Sequence, residues 1–105
     1  MARKDLPYWG RVVESAIGAH LANAAATGMF ELYYWRDRNR EVDFVVRQGE
    51  SVTAIEVKSG RRVESLPGID AFTTTFHPSR TLLVGGDGIA IEDFLSRPVE
   101  HWVRQ

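Results

Sequence analysis

In the runs Glu41–Val46 and Thr53–Lys58 the residues flanking the charges are β-branched or apolar. Successive strand side chains point to opposite faces, so each run reads as a β-strand. Between them, Gln48-Gly49-Glu50-Ser51 carries glycine where a two-residue type II′ hairpin turn requires a positive φ. That turn sets Val46 against Thr53, Phe44 against Ile55 and Val42 against Val57 on one face. On the other face it sets Asp43 against Glu56 and Glu41 against Lys58. This register predicts one apolar face and one face carrying four charges.

The remaining elements follow the same kind of pattern. Residues 10–27 read as a helix running into alanines before Gly28, and the aromatic run Glu31–Arg36 as a strand that turns at residues 37–40. Ser59–Arg62 reads as a loop. Leu66, Ile69, Phe72 and Phe76 recur at helical spacing over residues 65–77. Ser65 is a candidate N-cap, Pro67 is tolerated in the first turn and His77-Pro78 is a stop signal. Thr81–Val84 reads as a short buried strand. Gly85-Gly86-Asp87-Gly88 reads as a turn into a short strand at 89–91, Glu92–Leu95 as a helical turn, and Pro98 as the start of a last short helix. The short connections at 37–40 and 48–51 make the first three strands an antiparallel meander. A helix at 65–77 returns 81–84 in parallel by a right-handed crossover. The expected architecture is α/β, one mixed sheet with helices on its faces.

Asp43 opposite Glu56 places two carboxylates with Cβ atoms about 4.5–5.5 Å apart, where like charges destabilise a sheet. A divalent cation offsets that repulsion, and a hard ion such as Mg²⁺ binds through one or two carboxylates while keeping several waters. Lys58, one position along the same face, could orient a nucleophilic water or stabilise charge developing on a phosphate. At 100° per residue, Glu14 points within about 60° of Gly10, Ile17, Gly18, Leu21 and Ala25. It is therefore expected on the buried stripe of the first helix, where a charge needs a partner or a metal. The competing readings are a solvated strand face with a Glu41–Lys58 ion pair and a Glu14 paired with a cation such as Lys58.

These residues carry a resemblance. A helix with Glu14, a strand with Asp43 and a strand with Glu56-Val57-Lys58, followed by helix and strand, resembles the PD-(D/E)XK nuclease superfamily. The local wording is more specific. Gly10-Arg-Val-Val-Glu14, Gly18-Ala-His-Leu21, Tyr34-Trp-Arg36, Glu41–Val46 and Ile55–Gly60 are similar to the C-terminal nuclease-like domain of prokaryotic AAA+-type ATPases, catalogued as domain of unknown function 4143. The likeness covers residues 8–103. It implies a restriction-endonuclease-like αβββαβ core and a Mg²⁺- or Mn²⁺-dependent phosphodiesterase acting on DNA. In that scheme Asp43, Glu56 and Glu14 hold the cation, with the Val57 carbonyl as a further ligand. Asp43, Glu56 and Lys58 are catalytic, and Lys58 positions the attacking water. The alternative implied by the same fold is a catalytically silent module that binds DNA or a partner protein. The resemblance also implies an ATPase module earlier in a longer chain, of which these residues are the C-terminal piece. No Gly-x-x-x-x-Gly-Lys-Ser/Thr loop occurs in the 105 residues. Some nuclease relatives carry a Gln-x-x-x-Tyr pattern on the second helix; Asp70, Thr73 and Thr74 stand there instead.

Composition narrows the picture further. The 105 residues suit one domain, with 44% hydrophobic and 26% charged residues as in ordinary globular proteins. There is no cysteine, so disulfides and thiolate zinc sites are excluded and a cytoplasmic setting is expected. The start has no apolar run of signal-peptide type and no stretch is long enough to span a membrane, so no membrane partner is expected. The net charge is −1, which argues against tight non-specific DNA binding. Arginines nonetheless flank the acidic motif: Arg36, Arg38 and Arg40 on one side, Arg61 and Arg62 on the other. These are the candidate DNA-phosphate contacts, with solvated turns as the competing reading. His20 falls among apolar helix positions as a packed histidine, and His77 and His101 read as surface or capping residues. The sequence leaves homo-oligomerisation open.

Overall fold

The computed structural model describes residues 6–37, 40–58 and 67–103. Its elements run α1 (Leu6–Ala25), β1 (Glu31–Asp37), β2 (Arg40–Gln48), β3 (Ser51–Lys58), α2 (Pro67–Phe76), β4 (Arg80–Gly85), α3 (Ile91–Ser96) and α4 (Val99–Val103). The four strands form one mixed sheet in the order β1-β2-β3-β4. β1 and β2 are antiparallel, as are β2 and β3, and β3 and β4 are parallel. This is the expected α/β architecture, with helices on both faces.

The β2–β3 turn carries the predicted chemistry. Gly49 adopts φ 63° while Glu50 keeps a negative φ, the pattern of a type II′ turn. The predicted partners Phe44 with Ile55 and Val46 with Thr53 are observed. At the end of α2, His77 takes the left-handed conformation, φ 51°, and its N–H bonds the Thr73 carbonyl at 3.0 Å before Pro78. The stop signal therefore works through a left-handed cap. The expected N-cap at Ser65 and the loop at Ser59–Arg62 lie outside the described residues.

Two departures concern element ends. α1 starts at Leu6, four residues before the expected position, because Pro7 in a first turn loses no intrahelical hydrogen bond. Residues 89–91 do not form a strand. Ile89 makes an isolated bridge to Val84, and Ile91 opens α3.

The core has two parts, one on each sheet face. On one side Val13, Ile17 and Leu21 of α1 pack with Phe44, Val46, Ile55 and Val84 of the sheet and with Phe94, Val99 and Val103 of α3 and α4. On the other side Ile69 and Phe72 of α2 cover Val42, Val45 and Ala54. Val42 and Phe44 thus belong to different faces, although strict alternation places them on the same one. The cause is a bulge. Tyr33 pairs with Val45 and Trp35 with Val42, so Tyr34 alone spans Asp43 and Phe44. A two-against-one bulge shifts the strand's phase by one residue. It places Glu41, Phe44 and Val46 toward α1, and Val42 and Val45 toward α2.

Candidate acidic site at the strand seam

The bulge sits at the candidate site. The regular β2–β3 register ends at Phe44 and Ile55. Beyond it, side chains take over the strand-to-strand hydrogen bonding. Asp43 Oδ2 accepts the Val57 N–H at 2.8 Å, and Glu56 Oε1 accepts the Asp43 N–H at 3.3 Å. The expectation that Asp43 and Glu56 face each other as an ordinary cross-strand pair is corrected accordingly. Alternation aligns Glu56 with Ala54, of the α2-side core, whereas Val57 packs on the α1 side with Ile55. The two carboxylates meet through the seam between the strands.

The four-charge face is corrected as well. Glu41 does not pair with Lys58. It accepts hydrogen bonds from Arg36 Nε and Nη2, at 3.1 and 2.8 Å. Lys58 Nζ instead lies 3.4 Å from Glu56 Oε2. Val42 does not meet Val57, for the bulge has turned it to the α2 side.

Glu14 reaches the site from α1, but as an exposed residue. The buried stripe runs through Val13, Ile17 and Leu21, and Glu14 stands at its margin, one residue past Val13. Its carboxyl is raised above the usual value by desolvation and then by a hydrogen bond with Asp43 and the charges of Asp43 and Glu41; Lys58 acts in the opposite sense. Glu14 and Asp43 line the same cleft, with Glu14 exposed rather than buried.

Among the described residues Glu56 is the most perturbed group. It is 9% exposed. Burial and the nearby Asp43 charge push its carboxyl up to about 7, against the pull of Lys58 and of the Asp43 N–H. Around neutral pH it therefore shares its charge with a proton. Beside Glu14 and Asp43 opens a cleft of about 500 Å³, walled by Tyr34, Arg36 and Glu41.

Among the described residues no group of three or more His, Asp or Glu side chains is arranged to hold a metal ion. The donor chemistry nevertheless suits a hard cation, since all three acids offer oxygen. A proton on Glu56 is what an acid pair adopts when no other positive charge is supplied. Asp43 Oδ2 and Glu56 Oε1 each accept a backbone N–H, and Glu56 Oε2 faces the Lys58 ammonium at 3.4 Å, so a cation would share these oxygens with the contacts already made.

Of the candidate phosphate contacts, Arg36 stands at the cleft, tied to Glu41. Arg40 is exposed and lines a separate surface hollow with Asp37 and Asp70. Arg38, Arg61 and Arg62 lie outside the described residues. His20 is half-buried, edge-on to Phe94, with Nε2 2.9 Å from the Arg97 carbonyl, a packed residue as expected. Gly85–Gly88 forms a turn, closed by Gly88 N–H to the Gly85 carbonyl at 2.9 Å. What the alternation pattern did not indicate is the bulge, because Val42-Asp43-Phe44 reads as a regular strand. Among the described residues no helix is long and apolar enough to cross a membrane.

No curated protein and no solved structure matches the chain. A family model does match, over residues 9–93, which span α1 to the first residues of α3 and include every acid of the site. The chain belongs to the family described as a domain of unknown function, DUF4143.

Proposed function

We propose that the domain is a divalent-metal-dependent phosphodiesterase acting on DNA, of PD-(D/E)XK nuclease type. The observation that carries this reading is the interlocked pair Asp43 and Glu56, with Lys58 beside Glu56 and Glu14 beside Asp43. Asp43 and Glu56 would hold a Mg²⁺ or Mn²⁺ ion, with Glu14 and the Val57 carbonyl completing the set. When bound, such an ion supplies charge stabilisation at a phosphate and lowers the pKa of a water. Lys58 is held by Glu56 and is not itself a ligand, so its ammonium is free to orient a water and to face a phosphate oxygen. Arg36 at the cleft mouth suits a neighbouring phosphate. The resemblance further suggests an ATPase module in the same full-length chain, and the absence of cysteine suits a cytoplasmic setting.

The test is calorimetry with Mg²⁺ and Mn²⁺ on the wild type and on Asp43→Asn, beside cleavage assays on branched, nicked and single-stranded DNA. Metal binding lost in Asp43→Asn and metal-dependent cleavage support the reading. Absence of both removes it. A second reading has its own observation. The carboxylates of Asp43 and Glu56 already close the β2–β3 seam through backbone N–H groups, which is a structural task. A nuclease-fold module that binds DNA or a partner protein without chemistry would keep them for that purpose.

A further inference from the structure

The cleft beside Asp43 has an aromatic wall that the carboxylate chemistry leaves unused. Tyr34 is 73% exposed, the most exposed of the large apolar side chains among the described residues. Its ring is nonetheless anchored, resting on Phe44 with centroids 5.7 Å apart. Phe44 is buried and packs so closely on Gly18 that a Cβ there would lie 3.2 Å from the Phe44 ring. The contact is tilted, at 51° between the ring planes, and the exposed remainder of the Tyr34 ring is open to a second planar partner. The bulge sets this position, for Tyr34 spans Asp43 and Phe44. Ring and carboxylate therefore leave the sheet at the same level and line the same cleft. Two residues along β1, Arg36 spends Nε and one Nη2 contact on Glu41, and the guanidinium has five N–H donors. The cleft thus offers a planar apolar surface, the Asp43 carboxylate and spare cationic donors in succession.

We infer that this cleft takes an unpaired nucleotide, its base stacked on Tyr34 and its phosphate near Arg36. The substrate of the proposed chemistry is then single-stranded or frayed DNA. A paired base keeps both faces inside the duplex stack and has none to give Tyr34, whereas an unpaired base stacks on aromatic side chains irrespective of sequence. The identity of the ligand as nucleic acid rests on the nuclease-like reading above; the preference for unpaired bases rests on Tyr34.

The experiment measures anisotropy of a labelled short oligothymidylate and of a labelled blunt hairpin, in EDTA and in Ca²⁺. The wild type is expected to prefer the oligothymidylate. Tyr34→Phe keeps that preference, because the ring remains. Tyr34→Ser lowers single-strand affinity about tenfold or more and leaves hairpin binding unchanged, with a thermal melt confirming the fold. Arg36→Gln flattens the salt dependence of single-strand binding. Equal binding of both probes, an unchanged Tyr34→Ser variant, or no binding in either buffer overturns the inference. Tyr34-dependent single-strand binding without metal-dependent cleavage would sink the catalytic reading and leave this one standing. Duplex cleavage indifferent to Tyr34 would do the reverse.

Discussion

Asp43 and Glu56 are joined by the backbone of one and the carboxylate of the other: Glu56 Oε1 accepts the Asp43 N–H at 3.3 Å. The Asp43 side chain returns the contact one residue further on, at the Val57 N–H. Two acids that repel each other thereby serve as the fasteners of the strand pair that carries them.

This double duty separates two substitutions at one position. Asp43→Asn keeps an acceptor oxygen for the Val57 N–H and removes a charge beside Glu56 and Glu14. It should raise the metal-free melting temperature at neutral pH by a few degrees, about 4–8 °C per kcal/mol in a domain of this size, and abolish stabilisation by Mg²⁺. Asp43→Ala leaves the half-buried Val57 N–H without its acceptor and should cost about 1–3 kcal/mol. Thermal melts in EDTA and in Mg²⁺ read both effects, and a destabilised Asp43→Asn would mean that its charge is structurally required.

Glu56 sets a pH dependence whose sign is fixed by burial. Its folded value, about 7, lies above the ordinary 4.5, so the native state binds the proton more tightly than the unfolded chain. The stability this group contributes is full below about pH 4.5 and is lost as pH rises through about 7. Glu14, also raised by desolvation and by the neighbouring Asp43, acts in the same direction. Metal-free melts should therefore decline across this window, and Glu56→Gln should flatten the decline while keeping an acceptor for the Asp43 N–H. Mg²⁺ affinity should rise over the same window, since the ion and the proton compete.

Lys58 offers a cleaner separation of binding from chemistry. Its ammonium is not a metal ligand, so Lys58→Ala should abolish cleavage of single-stranded DNA and leave calorimetric Mn²⁺ affinity within a few-fold. Cleavage that survives the substitution would assign the activity to another site or to a contaminant.

Gly68 tests the architecture apart from any function. A Cβ built on it would stand 1.9 Å from the Glu41 carbonyl oxygen, which is backbone and cannot swing aside. Gly68→Ala should push α2 off β2 and cost about 2–4 kcal/mol, within the range seen for overpacked positions and larger than most. A chemical denaturation midpoint unchanged from wild type would show that α2 does not seat on Glu41 in this way.

Much of this was legible before any coordinates. Gly49 alone fixed the hairpin type and with it the pairing of Phe44 with Ile55 and Val46 with Thr53, because a two-residue turn admits one register. His77-Pro78 marked the end of α2 for an equally local reason. The bulge was not legible, since its cause is the way three strands share one twist, and Asp43-Phe44 satisfies the period-two pattern either way. With it went the placement of Val42 and of Glu41. Glu14 was located in azimuth but not in depth. A helical wheel gives the direction of a side chain, while depth depends on where Val13, Ile17 and Leu21 settle on the sheet.

The strand order β1-β2-β3-β4 repeats the order of the chain, and this has a kinetic consequence. Each antiparallel pairing joins strands only two residues apart in the chain, so little loop entropy is lost before the contacts form. Only the parallel β3–β4 pairing has to wait for the crossover through α2. Both Asp43 and Glu56 lie in the hairpin that can zip first, so their mutual repulsion would be felt at the outset of folding. A charge-removing substitution there should quicken refolding in a stopped-flow experiment, while one in β4 should act chiefly on the rate of unfolding.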